Sequence, residues 1–244
     1  MVSTLNKYAF VTGASAGLGK AICEELLISG WKVFGISRSH TILHQNYISI
    51  FCDLSLPGNL AEMKFESFDA SNLLLINNAG SLGEIGPVGS IADEVIIQTI
   101  SLNLTAAAVL SNKFLKQTQS LDCPKTIINI SSGAGRNAYD GWATYCSTKA
   151  GLDMFSSAVA KELNLSGNSA TRIFSIAPGV IDTQMQEEIR SKSVNEFSSV
   201  ERFKLMHQNN QLSAPASIAQ KLVSFVAQRD RFSEVCLDVR NLDL

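Results

Sequence analysis

Residues 8–19 read YAFVTGASAGLG, and this stretch decides the architecture. Tyr8–Gly13 is a short apolar run ending in glycine, which predicts a strand. From Leu18 to Ser29 the residues Leu18, Ile22, Leu26 and Leu27 recur at helical spacing, and Gly30 follows as a stop. Between strand and helix, Gly13, Gly17 and Gly19 make a G-x-x-x-G-x-G turn. Glycine lets a backbone turn tightly and approach a phosphate. The helix start beyond it offers N–H groups and the positive end of the helix dipole. Taken alone, the turn is either a dinucleotide cradle or an ordinary glycine-rich connection.

Working outward, six more apolar runs follow: Lys32–Ser37, Tyr47–Leu54, Leu73–Gly80, Thr126–Ser132, Ala170–Gly179 and Glu234–Val239. Helical patterns lie between them, notably Asp93–Gln117, Gly141–Leu165 and Pro215–Gln228. All-apolar strands alternating with helices predict an α/β fold, a parallel sheet covered on both faces. The expected form is a Rossmann-type doubly wound sheet of seven strands in the order 3-2-1-4-5-6-7, with residues 1–244 as a single domain. The least regular segment is 180–213. It is polar and follows a strand end, where such sheets bind ligands, so it is expected to be a lid over the substrate.

Composition narrows the partners. The chain has 244 residues, 45 % of them apolar, and a net charge of −2, so no basic surface points to nucleic acid. Its five cysteines are scattered and form no C-x-x-C, which reads as reduced thiols without a zinc site. The three histidines share no metal-ligand spacing. No leader pattern opens the chain, and no apolar run approaches the length of a membrane span. The expectation is a soluble cytoplasmic protein without a membrane or metal partner.

Two ends of the predicted sheet carry chemistry. Dinucleotide folds that take NAD place an acid near the end of the second strand, on the ribose 2′-OH. Here Ser37, Arg38 and Ser39 stand there, and a guanidinium with flanking hydroxyls suits the 2′-phosphate of NADP(H). Asp53 ends the third run, where it either accepts from an adenine amino group or caps a turn. Asn77–Gly80 ends the fourth, with Gly80 leaving room for a ribose. At the other end, Tyr145 and Lys149 stand at i and i+4 on one helix face, thirteen residues beyond Ser132. A nearby ammonium favours the phenolate, so Lys149 is expected to lower the Tyr145 pKa. Ser132 is expected to hold a substrate oxygen beside the phenol. Alone, Y-x-x-x-K is an ordinary surface pair; with the glycine turn, NNAG and the serine it becomes a constellation.

Thr12–Gly19, Asn77–Gly80, Asn103 in SLNLTAA, Ser132, Tyr145–Lys149 and Pro178–Thr183 together resemble the short-chain dehydrogenase/reductase family along essentially the whole chain. That resemblance implies a catalytic tetrad. Tyr145 would be the proton donor and Ser132 would position the carbonyl. Lys149 would tune the tyrosine and bond the nicotinamide ribose, and Asn103 would hold a relay water. It implies cofactor contacts from Gly13, Ser15, Gly17, Leu18 and Gly19, from Ser37, Arg38 and Ser39, and from Asp53 and Leu54. Further contacts come from Asn78, Ala79 and Gly80, from Tyr145 and Lys149, and from Pro178, Gly179, Val180 and Thr183. One departure stands out: many NADP-preferring members carry a basic residue where this chain has Ala16.

The stretches 139–155 and 179–203 look most like the sepiapterin reductase and benzil reductase branch, which reduces vicinal dicarbonyls. Trp142 either walls an aromatic substrate or starts a helix as core. Met185, Phe203 and Met206 either roof the substrate or pack helices. Asp238 either anchors a pterin, as an acid does in sepiapterin reductases, or is a strand-edge carboxylate. The rivals are a 3-oxoacyl-carrier-protein reductase, docking through Arg190, Lys192, Arg202 and Lys204, an NAD-linked alcohol dehydrogenase, and a redox-sensing module without turnover. Relatives dimerise through the two long helices, so a homodimer or homotetramer is expected.

Overall fold

The computed structural model describes residues 6–40, 42–65 and 69–244. Seven parallel strands run β1 (Lys7–Thr12), β2 (Lys32–Ser37), β3 (Tyr47–Phe51), β4 (Asn72–Asn77), β5 (Lys125–Ile130), β6 (Thr171–Ala177) and β7 (Cys236–Asp238). They pair in the order β3-β2-β1-β4-β5-β6-β7 as expected. The strand order reverses between β1 and β4, so Thr12 and Asn77 end side by side at the point where such sheets bind ligands.

Side chains alternate across a strand. In β1, Ala9 and Val11 face one core layer with Ile22 and Leu26 of α1 (Gly17–Ile28) and Phe225 of α8 (Pro215–Gln228). Phe10 faces the other layer with Leu110 and Phe114 of α4 (Ala106–Thr118) and Val159 of α5 (Ala143–Leu165). That two-sided burial is why the strands read as unbroken apolar runs. The edge strand β3 is the exception, with Ile48 and Phe51 exposed.

The elements correct the sequence reading in four places. The helix expected over Asp93–Gln117 is α3 (Asp93–Ile100), a π-helical turn at Ser101–Thr105, and then α4. Asn103 sits in that turn and is 1 % exposed; its bonds to neighbouring elements hold the extra residue in place. The expected start at Gly141 moves to Ala143, because Gly141 has φ 68° and is not helical. The last strand shortens to Cys236–Asp238, and at its far end the Asp238 carboxylate accepts from the Arg240 N–H and turns the chain. A short helix, α2 (Pro57–Ala61), was not foreseen.

By length and composition the 26-residue helix Asp93–Thr118 is able to cross a membrane, which the sequence reading denied. In the fold it lies on the sheet through Ala106, Leu110 and Phe114, and 33 % of its most apolar window is buried. The segment 180–213 contains α6 (Gln184–Arg190) and α7 (Val200–Gln208).

Candidate active site

The glycine turn is built to take something against its backbone. A Cβ on Gly19 would stand 2.2 Å from the Gly13 carbonyl oxygen and 2.4 Å from Asn78 Nδ2. Gly13 has φ 68° and Gly17 φ 51°, both in the left-handed region. The start of α1 has Ala16 in the cap position and no side chain capping it, so its first N–H groups are open to an anion. Thr12, which sequence reasoning passed over, accepts from the backbone N–H of both Asn78 and Ala79 at 2.9 Å and ties the turn to β4. Asn78 Nδ2 donates back to the Thr12 carbonyl at 3.0 Å. Across the turn, Thr183 Cγ2 lies 3.3 Å from the Cβ position of Gly17, so the Pro178–Thr183 loop overhangs the cradle. These features fit a dinucleotide.

The flanking contacts divide. Arg38 is exposed at the end of β2, and its charge helps hold the Asp53 carboxyl low, after the stronger bonds from the Ser55 hydroxyl and N–H. Asp53 is therefore a turn cap at the edge of the cradle. Ser37 Oγ donates to the Ser39 carbonyl at 2.6 Å, so its proton is used locally. Leu18 and Leu54 are buried in the two core layers and can offer only backbone. Ser15 lies partly buried within the turn, while Pro178 leads into Gly179, which has φ 80°. Val180 packs beside the aromatic cluster described next.

At the chemical end, Tyr145 is 7 % exposed among Leu82, Ile85, Ala134, Trp142, Ile189, Phe197, Val200 and Phe203. Burial raises the phenol pKa, and a hydrogen bond with Ser132 works against that rise. Ser132 Oγ also accepts from the Ala134 N–H at 3.1 Å, which fixes its hydroxyl at the end of β5. Lys149 is 4 % exposed and donates to the Ile130 carbonyl at 2.7 Å. Its Nζ lies 5.7 Å from the Tyr145 ring centre. Burial pulls this ammonium down to about 8, with the charge of Asp153 opposing. The lysine ammonium is turned to the Ile130 carbonyl, and Ser132 supplies the hydrogen bond that opposes the rise in the phenol pKa.

Asn103 bridges two elements. Its Oδ1 accepts from the Ser81 N–H at 2.9 Å, while Nδ2 donates to the Ser81 carbonyl at 2.8 Å and to Thr148 Oγ1 at 3.2 Å. The side-chain amide is a brace between the β4 loop and α5, with both amide hydrogens engaged. A Cβ on Gly80 would lie 3.3 Å from Asn103 Oδ1 and 3.6 Å from Lys149 Nζ, so all three border one space. Gly135 was missed; a Cβ there would stand 2.9 Å from the Lys149 backbone carbon, and the doubled glycine of SSGAG was its signal.

The substrate-side residues separate too. The Trp142 ring stacks on Phe197 at 4.5 Å and meets Tyr145 edge-on at 5.7 Å. At 5 % exposure it backs the tyrosine as core instead of lining an open wall. Phe203 and Met185 join that cluster, while Met206 is half-buried outside it. The segment 180–213 is pinned at Ser198, whose N–H and hydroxyl donate to Asp140 at 2.8 and 2.7 Å. Asp238 is gripped by Arg240 through both oxygens, at 2.9 and 2.6 Å. Arg240 in turn lies 3.8 Å from the Cβ position of Gly179. Three of the four basic residues expected to dock a carrier protein are paired locally, Lys192 with Glu196, Lys204 with Glu201 and Arg202 with the Tyr139 hydroxyl, while one guanidinium nitrogen of Arg190 is buried without a partner. Among the described residues no cluster suits a metal ion.

The short chain dehydrogenase family model matches residues 7–194, which spans the cradle, the serine, the tyrosine and the lysine. The chain belongs to the short-chain dehydrogenase family. As a member of that family it is an oxidoreductase. It is 39 % identical over 224 residues to the benzil reductase ((S)-benzoin forming) of Bacillus subtilis, covering 88 % of this chain and 91 % of that one. It is 30 % identical over 249 residues to the sepiapterin reductase of Rattus norvegicus, covering 91 % of each. Among solved structures, a 4-hydroxyisoleucine dehydrogenase complexed with NADH superposes with a TM-score of 0.79 at 25 % identity, covering 96 % of each chain.

Proposed function

We propose that this enzyme is an NADPH-dependent carbonyl reductase for vicinal dicarbonyls, of the benzil or sepiapterin type. The observation that carries the reaction is the buried Tyr145 phenol bonded to Ser132, with the Lys149 ammonium 5.7 Å from its ring. A bound nicotinamide would supply hydride to the carbonyl carbon. Tyr145 gives its proton to the carbonyl oxygen, and Ser132 orients that oxygen. As the proton leaves, Lys149 stabilises the phenolate charge in a dry site. The preference for NADPH rests on Arg38, exposed beside the cradle where an acid would mark NAD. The cofactor is held by the Gly13–Gly19 turn, Asn78–Gly80 and the Pro178–Thr183 loop. The dicarbonyl class rests on the benzil and sepiapterin reductases among the relatives. Asp238 serves a pterin only if Arg240 releases it, which favours diaryl diketones.

The exposed apolar side of Asp93–Thr118, with Ile97 and Ile100, and Met154 on α5 suit a homodimer or homotetramer through these helices. Five free cysteines suit a reducing cytoplasm. The test is oxidation of NADPH, and separately NADH, with benzil, sepiapterin, simple diketones and an acetoacetyl thioester, beside Tyr145→Phe. NADPH-selective turnover of benzil or sepiapterin, lost in the variant, is expected. Preference for the thioester would move the enzyme to acyl reduction, and tight NADPH binding without any turnover would favour a sensing module.

A further inference from the structure

The inward side of α6 carries polar atoms that the fold does not pair. The helix begins just after Thr183, whose methyl overhangs the cradle, and the Gln186 N–H donates to the Thr183 carbonyl at 2.8 Å. At about 3.6 residues per turn, Met185, Gln186, Ile189 and Arg190 form one continuous arc of the helix. That arc is turned inward: Gln186 and Ile189 are buried and Met185 and Arg190 half-buried, whereas Gln184, Glu187 and Glu188 are exposed. Met185 and Ile189 belong to the aromatic cluster around Tyr145. Gln186 is 6 % exposed, yet its Oε1 has no hydrogen-bond partner among the described residues, and neither has the buried Nη1 of Arg190. Trp142, in the same cluster, buries an indole Nε1 that is also unpaired. Buried polar atoms are normally paired, so three orphans on one structural unit ask for a common partner. The sparing of Arg190 is selective. Lys192 is paired with Glu196, Lys204 with Glu201 and Arg202 with the Tyr139 hydroxyl, and Arg190 alone among the lysines and arginines of 180–213 has no ion pair among the described residues and no partner for its buried nitrogen.

We propose that Gln186 and Arg190 are specificity-determining residues that read an amide on the substrate, so that the enzyme favours vicinal dicarbonyls in which an N–H adjoins a carbonyl. The unpaired set is one acceptor, Gln186 Oε1, and two donors, Arg190 Nη1 and Trp142 Nε1. An amide is its complement: one N–H for the glutamine, and a carbonyl oxygen with two lone pairs for the two donors. A carboxylate would set its oxygens against the glutamine oxygen, and a diaryl diketone would leave that oxygen without a donor. The remainder of the Arg190 side chain is half-exposed, so its charge is solvated and a neutral acceptor suffices at Nη1. A site built to hydrogen-bond a substrate N–H rejects an analogue that lacks it, because the buried acceptor is then left unpaired.

The substrate class rests on the reductase reading, and the test separates the two. Isatin is a vicinal dicarbonyl with a lactam N–H, and N-methylisatin replaces only that donor. Oxindole and N-methyloxindole are the same pair without the ketone, so they report binding alone. Calorimetric titration of the full-length protein, with NADP+ present, is expected to show oxindole bound at least about tenfold more tightly than its N-methyl form. Gln186→Leu should erase that ratio, and Gln186→Glu, which keeps an acceptor oxygen there, should retain it. Arg190→Met should weaken both ligands by about tenfold, because both carry the carbonyl. The same ratio is expected in kcat/KM for isatin over N-methylisatin. Binding of neither lactam, equal binding of both, or a ratio that survives Gln186→Leu would overturn the proposal, and unchanged affinities in Arg190→Met would remove Arg190 from it. The wild-type ratio and Gln186→Glu carry the test if Gln186→Leu does not fold. The expected binding ratios in a protein that reduces no carbonyl would support the amide site while counting against the reductase reading.

Discussion

Replacing Lys149 by methionine should expose what it costs to bury this lysine. The lysine is 4 % exposed, and its pKa is pulled from 10.5 to about 8. At about 1.4 kcal/mol per unit, the folded state disfavours the ammonium by about 3 kcal/mol. Because the folded pKa lies below the unfolded one, that cost is fully present below about 8 and disappears as pH rises through 10.5. Methionine removes it and also leaves the Ile130 carbonyl without its donor, a loss of about 1–3 kcal/mol that does not depend on pH. The net effect at one pH is therefore a balance, but its change with pH isolates the charge. From about pH 7 to about pH 10, the stability of Lys149→Met relative to wild type should fall by about 2–3 kcal/mol. Urea unfolding at fixed protein concentration across that range measures it. A difference that stays flat would refute the reasoning, because it would mean that the fold does not penalise the ammonium.

Three further outcomes follow from the geometry. Gly19→Ala should weaken cofactor binding by at least about tenfold, since its methyl meets the Gly13 carbonyl at 2.2 Å, whereas Gly133→Ala, with open space around it, should bind normally in the same fluorescence titration. Phe197→Ala removes a ring that is fully buried and stacked on Trp142, so it should cost about 3–5 kcal/mol and admit protease between α6 and α7; resistance to limited proteolysis would show that the aromatic stack does not hold the segment. Arg38→Ala should raise the KM for NADPH by about tenfold or more and leave that for NADH nearly unchanged, and equal losses for both would remove Arg38 as the 2′-phosphate ligand.

The sheet was legible because its inner strands are buried on both faces and so announce themselves as apolar runs between helical patterns. Pro215–Gln228 and Lys32–Ser37 came out with the bounds read from the sequence. Tyr145, Lys149 and Ser132 were legible because a helical turn and a strand end fix their spacing. What escaped depends on contacts between distant residues. The π turn at Ser101–Thr105 exists because Asn103 is bonded to Ser81 and Thr148, partners 22 and 45 residues away, and no local pattern encodes that. The direction of the Lys149 ammonium escaped because Ile130, its acceptor, lies on another element. Trp142 read equally as wall or core, and the stacking of Phe197, 55 positions along the chain, on its ring has no local signal. Asp238 read as a pterin anchor or a strand-edge carboxylate; the turn after β7, which folds the Arg240 guanidinium back over both oxygens, was not legible.

The aromatic cluster that seats the segment 180–213 is the same one that encloses the Tyr145 ring. The seating of that segment and the acidity of the phenol are therefore not separable design variables in this enzyme. Any variant that trims Trp142, Phe197 or Phe203 loosens the packing around the phenol, whose raised pKa is mainly a product of its burial. Libraries built on these positions should be screened across pH, because the optimum will travel with the pocket.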